Sequence, residues 1–225
     1  GKLPMNVPAY QPRDRRPIKS RQTRWAEAIA KSLATRGVSP NGISIAGLLF
    51  ALCAGMCFAL TDGSSELEAR GLWLAGAAFC QLRLLCNLFD GMVAIEREIA
   101  SPQGEIYNEV PDRLADAAIF IGLGHAVGSD LSLGYGAALV ALFVAYVRVV
   151  MKSIGAPSDF GGPMAKHHRM AVVTVLACYL SISPIAWRFA WGEVRVVLVT
   201  IIVGGAITAS LRLRRAFRYF ENSIP

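Results

Sequence analysis

The chain has 225 residues, of which 54% are hydrophobic and only 17% are charged, and its mean hydropathy is +0.43. An ordinary soluble domain carries about 25% charged residues, so this composition excludes an ordinary soluble domain. The low charge and high hydrophobic content also exclude a disordered chain. Six transmembrane helices of roughly 20 residues each would fit this length and leave room for loops and one amphipathic arm. The composition therefore predicts a single-domain, all-α integral membrane protein.

The net charge of +7 is concentrated at one end of the chain. Residues 1–41 hold nine Lys and Arg residues against two acids, and the rest of the chain is balanced. A basic arm joined to apolar helices is typical of a cytoplasmic segment that faces lipid headgroups. No basic face interleaved with aromatic residues accompanies it, so we expect membrane lipids and not nucleic acid as its partners.

The arm ends in a short helical pattern. Trp25, Ile29 and Leu33 fall on one stripe, which predicts an amphipathic helix in the membrane interface, with an ordinary packed helix as the alternative. Six apolar helices follow, at residues 42–60, 72–95, 108–127, 132–153, 168–187 and 192–217. The predicted organisation is a basic arm (1–41), a six-helix transmembrane domain (42–217) and a tail (218–225).

The connections between these helices differ in their basic content. Eighteen Lys and Arg residues fall on the side of the two termini and two on the other side. This distribution predicts that both termini are cytoplasmic. The five cysteines all lie in apolar runs without a paired spacing, so neither disulfides nor zinc ligands are expected. The first apolar run begins 42 residues in and is interpreted as a span, not as a cleavable signal peptide.

Charged and amide side chains are concentrated around one predicted connection, residues 83–116. Charged groups at membrane depth are costly and are functional candidates by default. Asn87 and Asp90 lie three residues apart at the end of the second span, so they share a helix face. Gly91 and Ala94 continue this face and leave the backbone open to the approach of a bulky group.

The following helix carries a second polar face. Asn108, Asp112 and Asp116 recur every four residues, with Glu105 and Glu109 beside them. Two antiparallel helices joined by a short loop would bring the two faces together. Carboxylate and amide oxygens without His or Cys suit a hard cation such as Mg²⁺, Mn²⁺ or Ca²⁺.

Four basic residues near these faces each have two interpretations. Arg83, one turn before Asn87, and Arg113 either pair with the acids or bind a phosphate. Lys166 and Arg169, near the start of the fifth span, either bind an anionic headgroup or acceptor phosphate at a helix N-terminus or simply anchor the helix. The sequence leaves both pairs of alternatives open.

The polar stretch resembles the signature of the CDP-alcohol phosphotransferase family, D-x2-D-G-x2-A-R-x8-G-x3-D-x3-D. Its spacing is reproduced without a gap from Asn87 to Asp112, and Gly91, Ala94 and Gly104 stand where the signature has the same residue types. The resemblance implies a helical membrane enzyme with six spans and a juxtamembrane amphipathic helix. It therefore covers most of the chain and makes the six-helix domain the catalytic one.

Three positions depart from the signature. Asn87 and Asn108 replace its first and third aspartates, and Ile95 replaces its arginine. The sequence is similar to a divergent bacterial subgroup that also has Asn at these two positions. In the family the first three aspartates hold a pair of divalent metal ions and the fourth deprotonates the acceptor hydroxyl. The resemblance thus implies Asn87, Asp90, Asn108 and Asp112 as metal ligands and Asp112 as the general base.

Other residues take secondary parts in this interpretation. Gly91, Ala94 and Gly104 are expected against the CDP pyrophosphate. Glu109 and Asp116 are candidates to make up for the two lost negative charges from the same helix face. The implied cofactor is Mg²⁺ or Mn²⁺, as one or two ions.

The resemblance implies a transferase that moves a phosphatidyl group from a CDP-alcohol to an acceptor alcohol with release of CMP. CDP-diacylglycerol is the expected donor, and a soluble CDP-alcohol donor with a lipid acceptor is the alternative. We expect it to act in phospholipid biosynthesis as a homodimer in the bacterial inner membrane, with its site at the cytoplasmic surface. Two alternatives stay open: a catalytically weak relative that binds CDP-lipid as a partner or regulator, and a transporter. The sequence does not distinguish glycerol phosphate, inositol phosphate, serine or another alcohol as the acceptor.

Overall fold

The computed structural model describes residues 23–189 and 191–222, and within these ranges the chain is helical with no β-strand. The described residues form seven α-helices, in order α1 (Arg24–Thr35), α2 (Pro40–Ala59), α3 (Glu66–Glu96), α4 (Pro102–His125), α5 (Leu131–Ser153), α6 (Lys166–Ile182) and α7 (Glu193–Glu221). A 3₁₀ turn at Ile185–Trp187 precedes α7. Most of the predicted basic arm, residues 1–22, and the end of the tail, 223–225, lie outside the described residues.

Two of the helices begin with the same Ser-Pro device. The Ser39 hydroxyl accepts a hydrogen bond from the amide of Gly42 at 3.4 Å at the start of α2. The Ser101 hydroxyl accepts one from the amide of Gly104 at 3.1 Å at the start of α4. In each case proline takes the first helical position, where no amide hydrogen is needed. This signal explains why α4 begins at residue 102, before the predicted 108.

Six of the helices close into a ring. α2 packs against α3 and α4, α4 against α5, α5 against α7, α7 against α6, and α6 against α3. α1 packs against α3. α3 and α4 both pack mainly against α2. The polar C-terminal end of α3 and the polar N-terminal end of α4 are therefore both held beside the N-terminal end of α2.

The packing of α2 on α4 depends on glycine. A Cβ atom built on Gly122 would lie 2.2 Å from the carbonyl oxygen of Gly55, so the two backbones are in direct contact. Small residues at helix interfaces permit this close approach in membrane proteins. Phe58, Trp73 and Phe120 are fully buried in the main apolar core near this crossing.

Four helices in the described part of the chain, α2, α3, α5 and α7, are long and apolar enough to cross a membrane. α4 carries four acids and one arginine between residues 105 and 116, and α6 has only 17 residues. Ser183 caps α6 and Pro184 follows it, so this helix ends at Ile182 and not at the predicted 187. The count of six spans stays a prediction.

The buried face of α1 is not the apolar stripe that the sequence analysis singled out. Ala26 and Ala30 form its buried face, because small side chains allow close packing on α3. Trp25 and Ile29 are about half exposed, although the Trp25 ring also contacts that of Phe89 with centroids 6.1 Å apart. Location of this exposed apolar edge in the membrane interface remains a prediction.

We expect Gly122→Ala to destabilise the protein by about 1–3 kcal/mol, the usual cost of overpacking, because the new methyl group would meet backbone that cannot move aside. The apparent melting temperature of the detergent-solubilised protein should fall. Gly71→Ala on α3 is the matched control, since its Cβ would meet open space. Equal melting temperatures for the two variants would contradict the glycine contact.

Candidate functional site

A cavity of about 630 Å³ opens at one end of the helix ring. Its walls come from the N-terminal ends of α2, α4 and α6 and from the C-terminal ends of α3 and α5. All four positions of the sequence signature that carry Asp or Asn line it: Asn87, Asp90, Asn108 and Asp112. The cavity is therefore the place where the predicted site residues meet.

The polar faces of α3 and α4 touch through Asn87. Its Nδ2 donates to Asn108 Oδ1 at 3.2 Å and to the two oxygens of Asp112 at 3.1 and 3.2 Å. The loop at 97–101 is held in place because Arg97 donates to the carbonyl of Val38 at 3.0 Å. The structure thus brings together the two faces that the sequence placed on separate helices.

Asp90 lies deeper in the cavity wall and is 4% exposed. Its Oδ2 accepts a hydrogen bond from the Ser44 hydroxyl on α2 at 2.8 Å. Among the described residues it forms no ion pair. Gly91 and Ala94 line the cavity beside it. Sequence reasoning missed Ser44, whose only signal is a polar residue one turn into an apolar helix.

Lys166 reaches into the site from the first position of α6. Its Nζ donates to Asn87 Oδ1 at 3.0 Å and forms an ion pair with Asp112. Of the two interpretations left open by the sequence, neither included this contact. The ammonium group therefore belongs to the same cluster as the signature residues.

Asp116 is shared by two arginines in the interior. Arg83 donates to its Oδ1 at 2.7 Å and Arg169 to its Oδ2 at 2.8 Å, and the three residues are only 1–2% exposed. We call this cluster the Arg83–Asp116–Arg169 bridge. Arg83 also approaches Asp112 Oδ1 at 3.4 Å. Both Asp116 oxygens thus accept hydrogen bonds from guanidinium groups, which leaves this carboxylate little capacity for a metal ion.

Glu109 is likewise paired. Arg113, one turn along α4, donates to it at 2.7 Å, and Arg148 of α5 does so at the same distance. The Arg148 guanidinium also lies over the Phe160 ring, 5.1 Å from its centroid. These contacts join α4 to α5 at the cavity mouth. They also pair the Glu109 carboxylate, which was a candidate metal ligand, with two arginines.

The cavity has a basic side. Six basic side chains line it: Arg113, Arg148, Lys152, Lys166, Arg169 and Arg212. Arg212 is buried and donates to the carbonyls of Gly161 and Val144 at 3.1 and 3.0 Å. The sequence analysis did not single out Lys152 or Arg212, although a charged residue inside an apolar helix is a signal of function.

The loop between α5 and α6 is fastened to α7. Arg215 forms an ion pair with Asp159 at 2.7 Å, and the Thr208 hydroxyl accepts from the Met164 amide at 3.0 Å. Burial alone would raise the pKa of Asp159, but hydrogen bonds from Arg215 and the Gly161 amide hold that pKa below its usual value. The loop that contributes Ser158 and Phe160 to the cavity lining is therefore held against α7.

Comparison with known proteins agrees with this geometry. Residues 37–207 match the model of a family described as CDP-alcohol phosphatidyltransferase. The chain belongs to the CDP-alcohol phosphatidyltransferase family. A bifunctional IPC transferase and DIPP synthase of Rubrobacter xylanophilus is 35% identical over 125 residues, which are 53% of this chain and 29% of that protein. The chain thus spans less than a third of that relative's length.

Other relatives are similar over more of their length. A phosphatidylinositol phosphate synthase of Streptomyces avermitilis is 25% identical over 197 residues, which cover 85% of this chain and 77% of that protein. The crystal structure of the Mycobacterium tuberculosis phosphatidylinositol phosphate synthase with CDP-DAG bound superimposes with a TM-score of 0.70 at 21% identity, over 87% of this chain and 94% of the other. Its complex with manganese and citrate gives 0.69 at 22% identity, over 85% and 88%. These structures share the fold of this chain.

We expect Asp116→Asn to destabilise the protein by about 3–5 kcal/mol, because it leaves the buried Arg169 guanidinium without a counter-charge and Arg83 with only its 3.4 Å contact to Asp112. Thermal unfolding in detergent, followed by loss of the monodisperse peak, measures this effect. Glu66→Gln removes one charge from the partly exposed pair with Arg70 and should cost less than about 1 kcal/mol. A loss no larger than that of the control would show that the bridge does not stabilise the fold.

Proposed function

We propose that this protein transfers a phosphatidyl group from CDP-diacylglycerol to an acceptor alcohol with release of CMP, as a step in phospholipid biosynthesis. The observation that carries the proposal is the convergence of Asn87, Asp90 and Asp112 on one cavity whose opposite side is basic. Family membership supports the reaction class. We place the protein in the bacterial inner membrane as a homodimer, with six spans, both termini cytoplasmic and the site at the cytoplasmic surface.

The cavity suits the pyrophosphate of the donor. Three helices, α2, α4 and α6, direct their N-termini at it, and the amide groups and dipoles of helix N-termini attract phosphate. Gly91, Ala94 and Gly104 line the same wall and leave the backbone accessible. A synthase with the same fold has been solved with CDP-DAG bound. A site at one end of a ring of apolar helices can hold a soluble cytidine head and a lipid tail at once.

The residues present fit a divalent cation. Asp90 is buried at the cavity wall without an ion pair in the described chain, and Asn87, Asn108 and Asp112 add oxygen donors. The described residues contain no group of three His, Cys, Asp or Glu side chains placed to hold a metal, so the amide oxygens are needed. Oxygen donors alone favour Mg²⁺ or Mn²⁺, and a structure with this fold contains manganese. A bound ion would neutralise negative charge that develops on the leaving phosphate.

Asp112 is the proposed general base. Its carboxylate accepts the proton of the acceptor hydroxyl, and the oxygen so activated attacks the phosphorus attached to the diacylglycerol. A new P–O bond to the acceptor forms, the P–O bond of the pyrophosphate breaks, and CMP leaves with the bridging oxygen. Asn87 positions the base, because its amide donates to both oxygens of Asp112.

The acceptor is proposed to be a phosphorylated polyol of the inositol phosphate type. Six basic side chains and four carboxylates line the cavity, and this excess of positive charge favours an anionic acceptor over a neutral one. Relatives that this chain resembles along most of its length are phosphatidylinositol phosphate synthases. Both observations support the same class of acceptor.

We expect the protein purified in nanodiscs to release CMP from CDP-diacylglycerol when Mg²⁺ or Mn²⁺ and inositol phosphate are supplied. Inositol, glycerol phosphate and serine, tested in parallel, should support far less release. Asp112→Asn should lower the rate by at least about 100-fold, the low end of general-base contributions, and still bind CDP-lipid. Unchanged rates would exclude this base, and binding without release for every acceptor would favour a non-catalytic CDP-lipid-binding protein.

We expect Asp90→Asn to raise the metal concentration needed for half-maximal CMP release at least tenfold, because it removes the unpaired carboxylate of the site. A metal titration of the rate measures this change. Glu105→Gln, which removes a carboxylate elsewhere on the cavity lining, is the control and should leave the titration within about twofold. A titration that does not move in Asp90→Asn would remove Asp90 from the ligand set.

A further inference from the structure

Lys166 brings a fixed positive charge to the place where the family signature implies metal ligands. Its ammonium is hydrogen-bonded to Asn87 Oδ1 at 3.0 Å and ion-paired with Asp112. We propose that the Lys166 ammonium takes the place of one divalent cation at the Asn87–Asp112 side, so that the site binds a single divalent ion, through Asp90. This inference rests on the proposed function and specifies its cofactor requirement.

The charged groups around Asn87 and Asp90 balance before any ion binds. Three carboxylates and three basic groups form the cluster: Asp90, Asp112, Asp116, Arg83, Lys166 and Arg169. One divalent ion would leave two positive charges in excess, which the pyrophosphate of the donor offsets. A second ion would double this excess where the dielectric constant is low, so repulsion opposes its binding.

The two signature carboxylates differ in the number of hydrogen bonds and ion pairs that they already form. Asp112 accepts hydrogen bonds from Asn87 on both oxygens and is also paired with Lys166 and, at 3.4 Å, with Arg83. Asp90 accepts from the Ser44 hydroxyl and from the next backbone amide only. A carboxylate offers about four lone-pair positions. Open positions for a cation are therefore found at Asp90.

The side-chain amide of Asn87 can hydrogen-bond to Lys166 and to Asp112 at the same time. Asn87 turns its NH₂ group to Asp112 and its oxygen to Lys166. A carboxylate at this position could accept from Lys166 but would have no proton to donate to Asp112, and the two acids would repel each other. Asn87 and Lys166 are thus two parts of one arrangement, in which the protein supplies the cation.

The test is a count of bound Mn²⁺ by electron paramagnetic resonance, with the full chain in nanodiscs that contain CDP-diacylglycerol. We expect one Mn²⁺ per chain with an uncoupled six-line spectrum. In Lys166→Met the count should rise to two, with the exchange coupling that neighbouring Mn²⁺ ions show. Lys166→Arg keeps the charge and should stay at one.

Lys152→Met is the matched control, because it removes the same charge from another part of the cavity lining. Its count should stay at one. Two ions in the unmodified chain, none, or a count that stays at one in a Lys166→Met protein with a monodisperse elution profile would each overturn the inference. An effect of Lys166→Met on packing alone would not create a coupled pair of ions.

CMP release by the same preparations separates this inference from the proposed function. One bound Mn²⁺ with CMP release supports both. One bound Mn²⁺ without release for any acceptor leaves the single-ion site standing and refutes the transferase reaction. Release that requires two bound ions refutes the single-ion site and leaves the transferase reaction standing.

Discussion

The Arg83–Asp116–Arg169 bridge is the interaction on which the rest of the site depends. It joins α3, α4 and α6 through three side chains that are almost fully buried, with Asp116 lying 33 residues from Arg83 and 53 from Arg169. An unpaired charge in such a place is costly, so the helices are held at the mutual position that gives each guanidinium group an oxygen of Asp116. Van der Waals packing of apolar helices alone would tolerate small rotations and shifts that this bridge does not.

Three side chains of the site each lie one helical turn from a member of the bridge. Asn87 follows Arg83 by four residues, Asp112 precedes Asp116 by four, and Lys166 precedes Arg169 by three. Residues at these spacings lie on the same face of a helix. The register fixed by the bridge therefore also fixes the contact of Asn87, Asp112 and Lys166, and the structural cluster positions the chemical one.

Local periodicity made part of this arrangement predictable. The spacings of Asn87 and Asp90, and of Asn108 and Asp112, gave the two faces, and the short connection between them gave their contact. Contacts between residues distant in sequence cannot be predicted from local spacing. Glu109 was a candidate metal ligand by its spacing, but it pairs with Arg148, which lies 39 residues away. In α1 the sequence analysis singled out the apolar stripe of Trp25, Ile29 and Leu33 and not the face that packs on α3, which Ala26 and Ala30 form because close packing selects small side chains.

Replacement of two signature carboxylates by amides lowers the electrostatic repulsion in the site when no cation is bound. Four carboxylates together at the end of a helix ring repel one another until cations bind, so such a site is strained without its ions. Here Asn87 donates hydrogen bonds, Lys166 supplies a positive charge, and the cluster carries no net charge. We therefore expect the chain to fold around a preorganised site at the expense of cation affinity, with Asp90 as the carboxylate proposed to bind the ion.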